Sequence, residues 1–367
     1  MSFSPSAVVI DNGTDQIRVG TSGNAEPSHI FKNVTGRSES KSNKGNLYFG
    51  GEVWGKRDNL SVIHPMERGK VVSWADMEAT WSYVFNTHVK NPSGESPVLL
   101  TEFPLTTRLD RERTCRTMFE ALDVPALFMA PQSVLALMSS GRISGCVADC
   151  GYDVTHTVPV YEGYCLQHAV HQLGLGGQDV TDRLGLLLKA RGSQFSSATQ
   201  ERDIVTNIKE QMCYISTDLS LETATTITDS AQADYQLPDG QMLRISSERF
   251  GAPEILFSPQ MVFMVTPGIP SLLVSSVLES DADLRPLLLD NVVLAGGSSL
   301  FPGMGFRIRQ EASALVPPGA CVGPVPVMET AWLGGSLLAS LSIFGDMCIS
   351  SSEYQEMGSN VVHHKFF

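Results

Sequence analysis

The sequence predicts an α/β protein made of two related halves, and three observations carry that expectation. The stretch VVIDNGTDQIRVG, Val8 to Gly20, runs apolar residues into Asp11, turns at Asn12-Gly13-Thr14-Asp15 and enters a second strand-like run, the pattern of a β-hairpin. GCVADCGYDVTHTV, Gly145 to Val158, repeats that order, so that Asp11, Gly13 and Asp15 superpose on Asp149, Gly151 and Asp153 without a gap. NVVLAGGSSLFPGMGFRIRQEA, from Asn291, reads as a short buried strand that breaks at Gly296-Gly297 and enters a helix near Pro302 or Gly303. Either Asp-x-Gly stretch taken alone is only a good turn; the matched spacing makes the two a repeat. The strand, glycine turn and helix N-terminus could be an ordinary α/β connection, or could offer backbone N–H groups to an anion and a flat floor to a base.

The segments between these landmarks alternate in the same way. Asp110 to Leu122 fringes Met118, Phe119 and Leu122 with acids and bases, and Thr199 to Tyr214 gathers Ile204, Ile208 and Met212 on one face with acids near its start. Both spacings predict helices. VPVYEGY, Val158 to Tyr164, predicts a strand and turn, and Pro238-Asp239-Gly240 in YQLPDGQMLRI predicts a hairpin. SESKSNKGN, Ser38 to Asn46, is polar throughout and predicts a loop.

Composition sets the outer limits. At 367 residues the chain has room for about two domains and a sizeable core, and 42% apolar with 18% charged residues is ordinary globular composition. With 26 basic against 39 acidic residues the net charge is -13, which argues against general affinity for nucleic acid because phosphates would be repelled over most of the surface. The seven cysteines are odd in number and form no CxxC pair, the pattern of reduced thiols in a cytosolic or nuclear protein. No basic-then-apolar leader opens the chain, and no apolar run reaches the length of a membrane span.

Taken together the motifs resemble actin and the actin-related proteins. The matching runs are AVVIDNGT, VLLTEFPL, DVTHTVPVYEGY, IKEQMCY, LPDGQ, ERFGAPEILF, GGSSLFPG, WLGGSLLASLSIF and SSEYQEMGSNVVHHKFF, which extend over effectively the whole chain. The resemblance implies the actin-like ATPase fold, two α/β lobes in four subdomains with ATP or ADP and Mg2+ or Ca2+ in a central cleft. Subdomain 1 would take residues 1–32, 66–139 and 330–367, subdomain 2 residues 33–65, subdomain 3 residues 140–175 and 266–329, and subdomain 4 residues 176–265.

The same resemblance assigns roles. Asp11 and Asp149 match the acids that hold the cation through its waters, as suits a hard ion with oxygen ligands. Gly13, Thr14 and Gly151 match positions that cradle the β- and γ-phosphates, and Arg18 stands at a phosphate-contacting lysine. Gln132 and His156 match the pair that orients the attacking water. Lys209, Glu210, Gly177, Gly296, Gly297, Ser298 and Phe301 match the nucleoside pocket. His168 and His171, spaced like metal ligands but without a third nearby, read as structural.

Several positions depart from the family. Actins carry glycine where this chain has Asp15 and Asp153, and aspartate where it has Tyr152. Two like charges ~4 Å apart at an effective dielectric near 20 repel by about 4 kcal/mol, enough to abolish tight binding of a polyphosphate if both carboxylates face it. The alternatives are that they turn out of the loops or that a cation bridges them. Arg18 keeps the family's charge but changes its shape, and Met328 stands where a basic residue covers the adenine. The polar tract lacks the apolar anchors with which actins dock the next subunit, whereas Met261-Val262-Phe263-Met264-Val265 keeps an apolar segment at the cross-filament plug position, or else is a buried loop.

These features predict an actin-like, cytoplasmic and cytoskeletal subunit of short filaments or of a dynactin-type complex, at most a slow ATPase. VPALF, APEILF and GGSSLFPG look more like the dynactin-associated members than like muscle-type actin. The expected partners are actin-family subunits, self or hetero, and actin-binding or dynactin-type proteins at the apolar cleft near Leu337–Phe344, with no nucleic acid and no membrane insertion. The alternative is a non-polymerising subunit of a nuclear chromatin-remodelling complex. A metabolic kinase or chaperone of the same superfamily would need an added substrate domain for which this register leaves no room.

Overall fold

The computed structural model describes residues 6–38, 46–89, 96–192, 198–225, 232–327 and 330–366; most of the polar tract, and Met328, lie outside the described residues. The chain divides into two compact units, one of Met1–Ser144, Val160–Val170 and Met328–Phe367, the other of Gly145–Pro159 and His171–Val327.

The first unit is built on strand β1 (Val8–Asn12), all five residues of which are buried. A strand buried on both faces must be apolar in both registers, which is why VVI runs without alternation. Its residues, with Ala7 just before them, divide by parity: Val8 and Ile10 pack into one cluster with Trp81, Leu100 and Met118, while Ala7 and Val9 pack into another with Leu99, Leu135 and Trp332. β1 pairs antiparallel with β2 (Gln16–Thr21), placing Asp11 opposite Arg18, and parallel with strand Val98–Glu102. That strand lies parallel to Ala126–Pro131, and β2 continues the sheet to β3 (His29–Lys32) with Gln16 opposite Lys32. β4 (Thr35–Ser38) begins a smaller sheet with Leu47–Phe49 and Leu60–Ile63 on either side.

In the second unit strand Gly145–Cys150 runs parallel to Val292–Ala295, with Asp149 opposite Ala295, and Thr155–Thr157 pair antiparallel with His171–Leu173. One core cluster, including Val180, Leu184, Ile208, Leu273 and Leu294, fills the unit. The helix predicted from Thr199 spans Ala198–Met212, and Pro238-Asp239-Gly240 connects the antiparallel strands Ala233–Gln236 and Met242–Ile245. After Val292–Ala295 the chain makes a short 3-10 turn, Gly297–Leu300, and enters helix Met304–Leu315 as the glycine pattern predicts.

Three segments refine the expectations. The helix read from Asp110 starts at Arg108 and widens after Arg116, where Leu122 bonds back to Thr117 in a π turn. The resemblance makes Leu337–Phe344 part of a helix lining the apolar cleft, but the helix ends at Leu338, because Ser340 and Leu341 bond the carbonyls of Leu337 and Leu338 in tight turns and a new short helix starts at Phe344. Leu338, Ala339 and Phe344 are buried while Leu337, Leu341 and Ile343 stay exposed, so the segment divides between core and surface. At the plug position Phe263 is 96% and Val265 103% exposed, with Met261 and Met264 partly buried against the core, which excludes a wholly buried loop. Among the described residues no helix is long and apolar enough to cross a membrane. His171 Nε2 lies 3.1 Å from Glu279 Oε2, an ion pair when the imidazole is protonated.

Candidate functional site

In the first unit the candidate residues gather around the end of β1. Asp11 is 3% exposed, and its Oδ1 accepts from Thr101 Oγ1 at 2.9 Å and from Gln132 Nε2 at 2.8 Å. Its Oδ2 accepts from Arg18 at 3.3 Å, a contact set by their opposition in the β1–β2 register. Gln132 also donates to the Asn12 carbonyl at 3.1 Å, and Trp81 Nε1 donates to Asn12 Oδ1 at 3.1 Å. Thr14 is buried in the turn that follows.

That turn has a counterpart in the second unit. The Gly13 amide donates to the Gln16 carbonyl at 3.0 Å, and the Gly151 amide to the Val154 carbonyl at 2.9 Å. A Cβ at Gly13 would stand 2.5 Å from Gln16 O, and one at Gly151 would stand 2.8 Å from Val154 O. Each turn therefore closes only over a bare α-carbon. The superposition read from the sequence is thus a repeat of hydrogen-bonded geometry as well as of residue order.

In the second unit the residues around Gly151 are tied together by hydrogen bonds to main-chain carbonyls. Ser298 Oγ donates to Gly151 O at 2.8 Å, the Gly177 amide donates to the same carbonyl at 3.0 Å, and buried Lys209 Nζ donates to Gly177 O at 3.0 Å. Gly296 has φ of 81°, and a side chain there would meet Cys150 O at 2.3 Å and Asp149 Oδ1 at 2.8 Å. Gly297 and Glu210 are exposed, Asp149 is half-buried and Phe301 lies at the core edge. His156 is buried, and that burial pushes its pKa down to about 4 although a hydrogen bond with Gln172 acts the other way. It is therefore neutral at pH 7, with one donor and one acceptor nitrogen.

Asp15 is not a bare charge. Lys32 Nζ donates to its Oδ1 at 2.9 Å and its Oδ2 at 2.7 Å, so the repulsion expected of this carboxylate is offset within the first unit. Asp153 is buried in the second loop, and Tyr152 accepts at its carbonyl from the Gln178 amide at 2.5 Å. Thr101, Lys32 and Asn33 are the residues that sequence reasoning missed. Thr101 could have been suspected as a hydroxyl near the C-terminal end of a strand parallel to β1, where α/β sheets place their sites. Nothing local marks Lys32 or Asn33.

The family model described as actin matches residues 4–367, and the chain belongs to the actin family.

Proposed function

We propose that the protein is a nucleotide-binding structural subunit that associates with other actin-type subunits in the cytoplasm, with ATP or ADP and Mg2+ or Ca2+ as its ligands. The observation that carries this reading is the repeated turn, Gly13 to Gln16 and Gly151 to Val154, each preceded two residues earlier by an acid. The residues present fit the ligands. Asp11 Oδ1 already accepts two hydrogen bonds while Oδ2 accepts one, which leaves a lone pair for a water of a hydrated cation rather than a dry cage. When bound, the cation would supply charge neutralisation of the phosphates.

The remaining roles belong to this chain's own side chains. Gly13, Thr14, Arg18 and Gly151 would bind phosphate oxygens, and Lys209, Glu210, Gly177, Gly296, Gly297, Ser298 and Phe301 would hold the nucleoside. Gln132 and neutral His156 would orient a water, giving at most slow hydrolysis. The four-subdomain division and the dynactin-type setting belong to the same proposal, as does the surface of Leu337, Leu341 and Ile343 as a partner site, supported by its exposure. Denaturing the purified protein and identifying what it releases tests the ligand: about one adenine nucleotide per chain supports the reading, and none overturns it. Sedimentation with Mg-ATP tests the association, with a protein that stays monomeric at every concentration counting against it.

A further inference from the structure

We propose that Lys32 is the counter-charge that makes the Asp15 turn receptive to a polyanion, so that the Lys32–Asp15 pair sets how tightly this chain holds a nucleotide. The inference rests on the nucleotide reading above and deepens it. Asp15 follows Gly13-Thr14 in the β1–β2 turn and brings a carboxylate to the residues proposed to bind phosphate. Left alone it would oppose a di- or triphosphate by like charge.

The structure answers that charge locally. Lys32 stands opposite Gln16 in the β2–β3 register, next to Asp15, and its ammonium reaches both carboxylate oxygens at 2.9 and 2.7 Å. The residue that follows completes the brace. The Asn33 amide donates to the Asp15 carbonyl at 2.8 Å, and Asn33 Nδ2 donates to the Gly13 carbonyl at 3.0 Å. Three acceptors of the turn that would repel a phosphate, two carbonyls and one carboxylate, are therefore each engaged by the Lys32-Asn33 dipeptide. An anion is recognised by donors, so acceptors that already hold a partner oppose it less. Because the side chains of Lys32 and Asp15 are 39% and 24% exposed, the pair is accessible to solvent and to substitution without opening the core.

A four-protein cycle tests this by equilibrium affinity for Mg-ATP, measured calorimetrically on wild type, Lys32→Met, Asp15→Gly and the double variant, with thermal unfolding recorded without nucleotide. Lys32→Met should bind at least tenfold more weakly, and more so for ATP than for ADP. The double variant should return to within about threefold of wild type, Asp15→Gly alone should bind at least as tightly as wild type, and Lys32→Arg should preserve affinity. Equal affinity of wild type and Lys32→Met, or a double variant as weak as Lys32→Met, overturns the inference while leaving the nucleotide reading intact. Should Lys32→Met fail to fold, weaker binding by Asp15→Gly overturns it instead. Absence of binding in all the proteins overturns both.

Discussion

Gln132 and Asp11 meet at 2.8 Å, an amide at the start of one helix donating to the buried acid near the end of β1. Replacing Gln132 with Leu leaves Asp11 Oδ1 with Thr101 as its partner and should cost about 1–3 kcal/mol of stability, read from urea unfolding. The same variant should release phosphate from ATP at least tenfold more slowly than wild type if the amide has the proposed role. A stability loss with unchanged release would leave Gln132 as a brace only.

His156 makes stability depend on acid. Its pKa falls from 6.5 to about 4 in the folded protein, so between those values the unfolded chain binds more protons. The stabilising contribution is present in full above pH 6.5 and is lost as pH falls toward 4, with a slope of up to about 1.4 kcal/mol per pH unit. The urea midpoint should drop between pH 7 and pH 5, and His156→Gln should flatten that drop by one proton's share.

Gly297 separates binding from folding. Apart from its own neighbours along the chain, no heavy atom of the described residues lies within 4 Å of a Cβ built there, so Gly297→Ala should stay within about 0.5 kcal/mol of wild type in stability. Its place on the proposed nucleoside floor predicts weaker ATP binding all the same, measurable with a fluorescent adenine nucleotide. Unchanged affinity would remove Gly297 from the site.

Phe263 presents its ring almost wholly to water from a left-handed backbone with φ of 61°. Phe263→Asp should therefore leave the melting temperature near that of wild type while reducing the fraction that sediments with Mg-ATP. A lower melting temperature with unchanged sedimentation would assign the ring to folding.

How much of this was legible follows from how local each feature is. The β1–β2 turn, its echo at Gly151 and the strand-glycine-helix passage at Gly296 are written in consecutive residues, and period and turn chemistry suffice to read them. The end of the helix at Leu338 was not readable, since WLGGSLLASLSIF is uniformly small and apolar and the stop comes from successive tight turns. Lys32 escaped for a different reason: its partner Asp15 is brought to it by the β2–β3 register, and a single sequence does not print which residues of two strands lie opposite. Along the chain Asp15 stands as an uncompensated acid after Gly13-Thr14, whereas across the sheet Lys32 meets it.

The parity of β1 has a consequence for how this protein can change. Since Val8 and Ile10 feed one core while Ala7 and Val9 feed the other, inserting or deleting a single residue in this strand would exchange the two sets and turn Asp11 to the opposite side of the sheet in the same step. Side chains at these positions can be exchanged one by one, but a one-residue insertion or deletion would disturb both cores at once, so packing alone ties the acid to the frame of the hydrophobic residues that precede it.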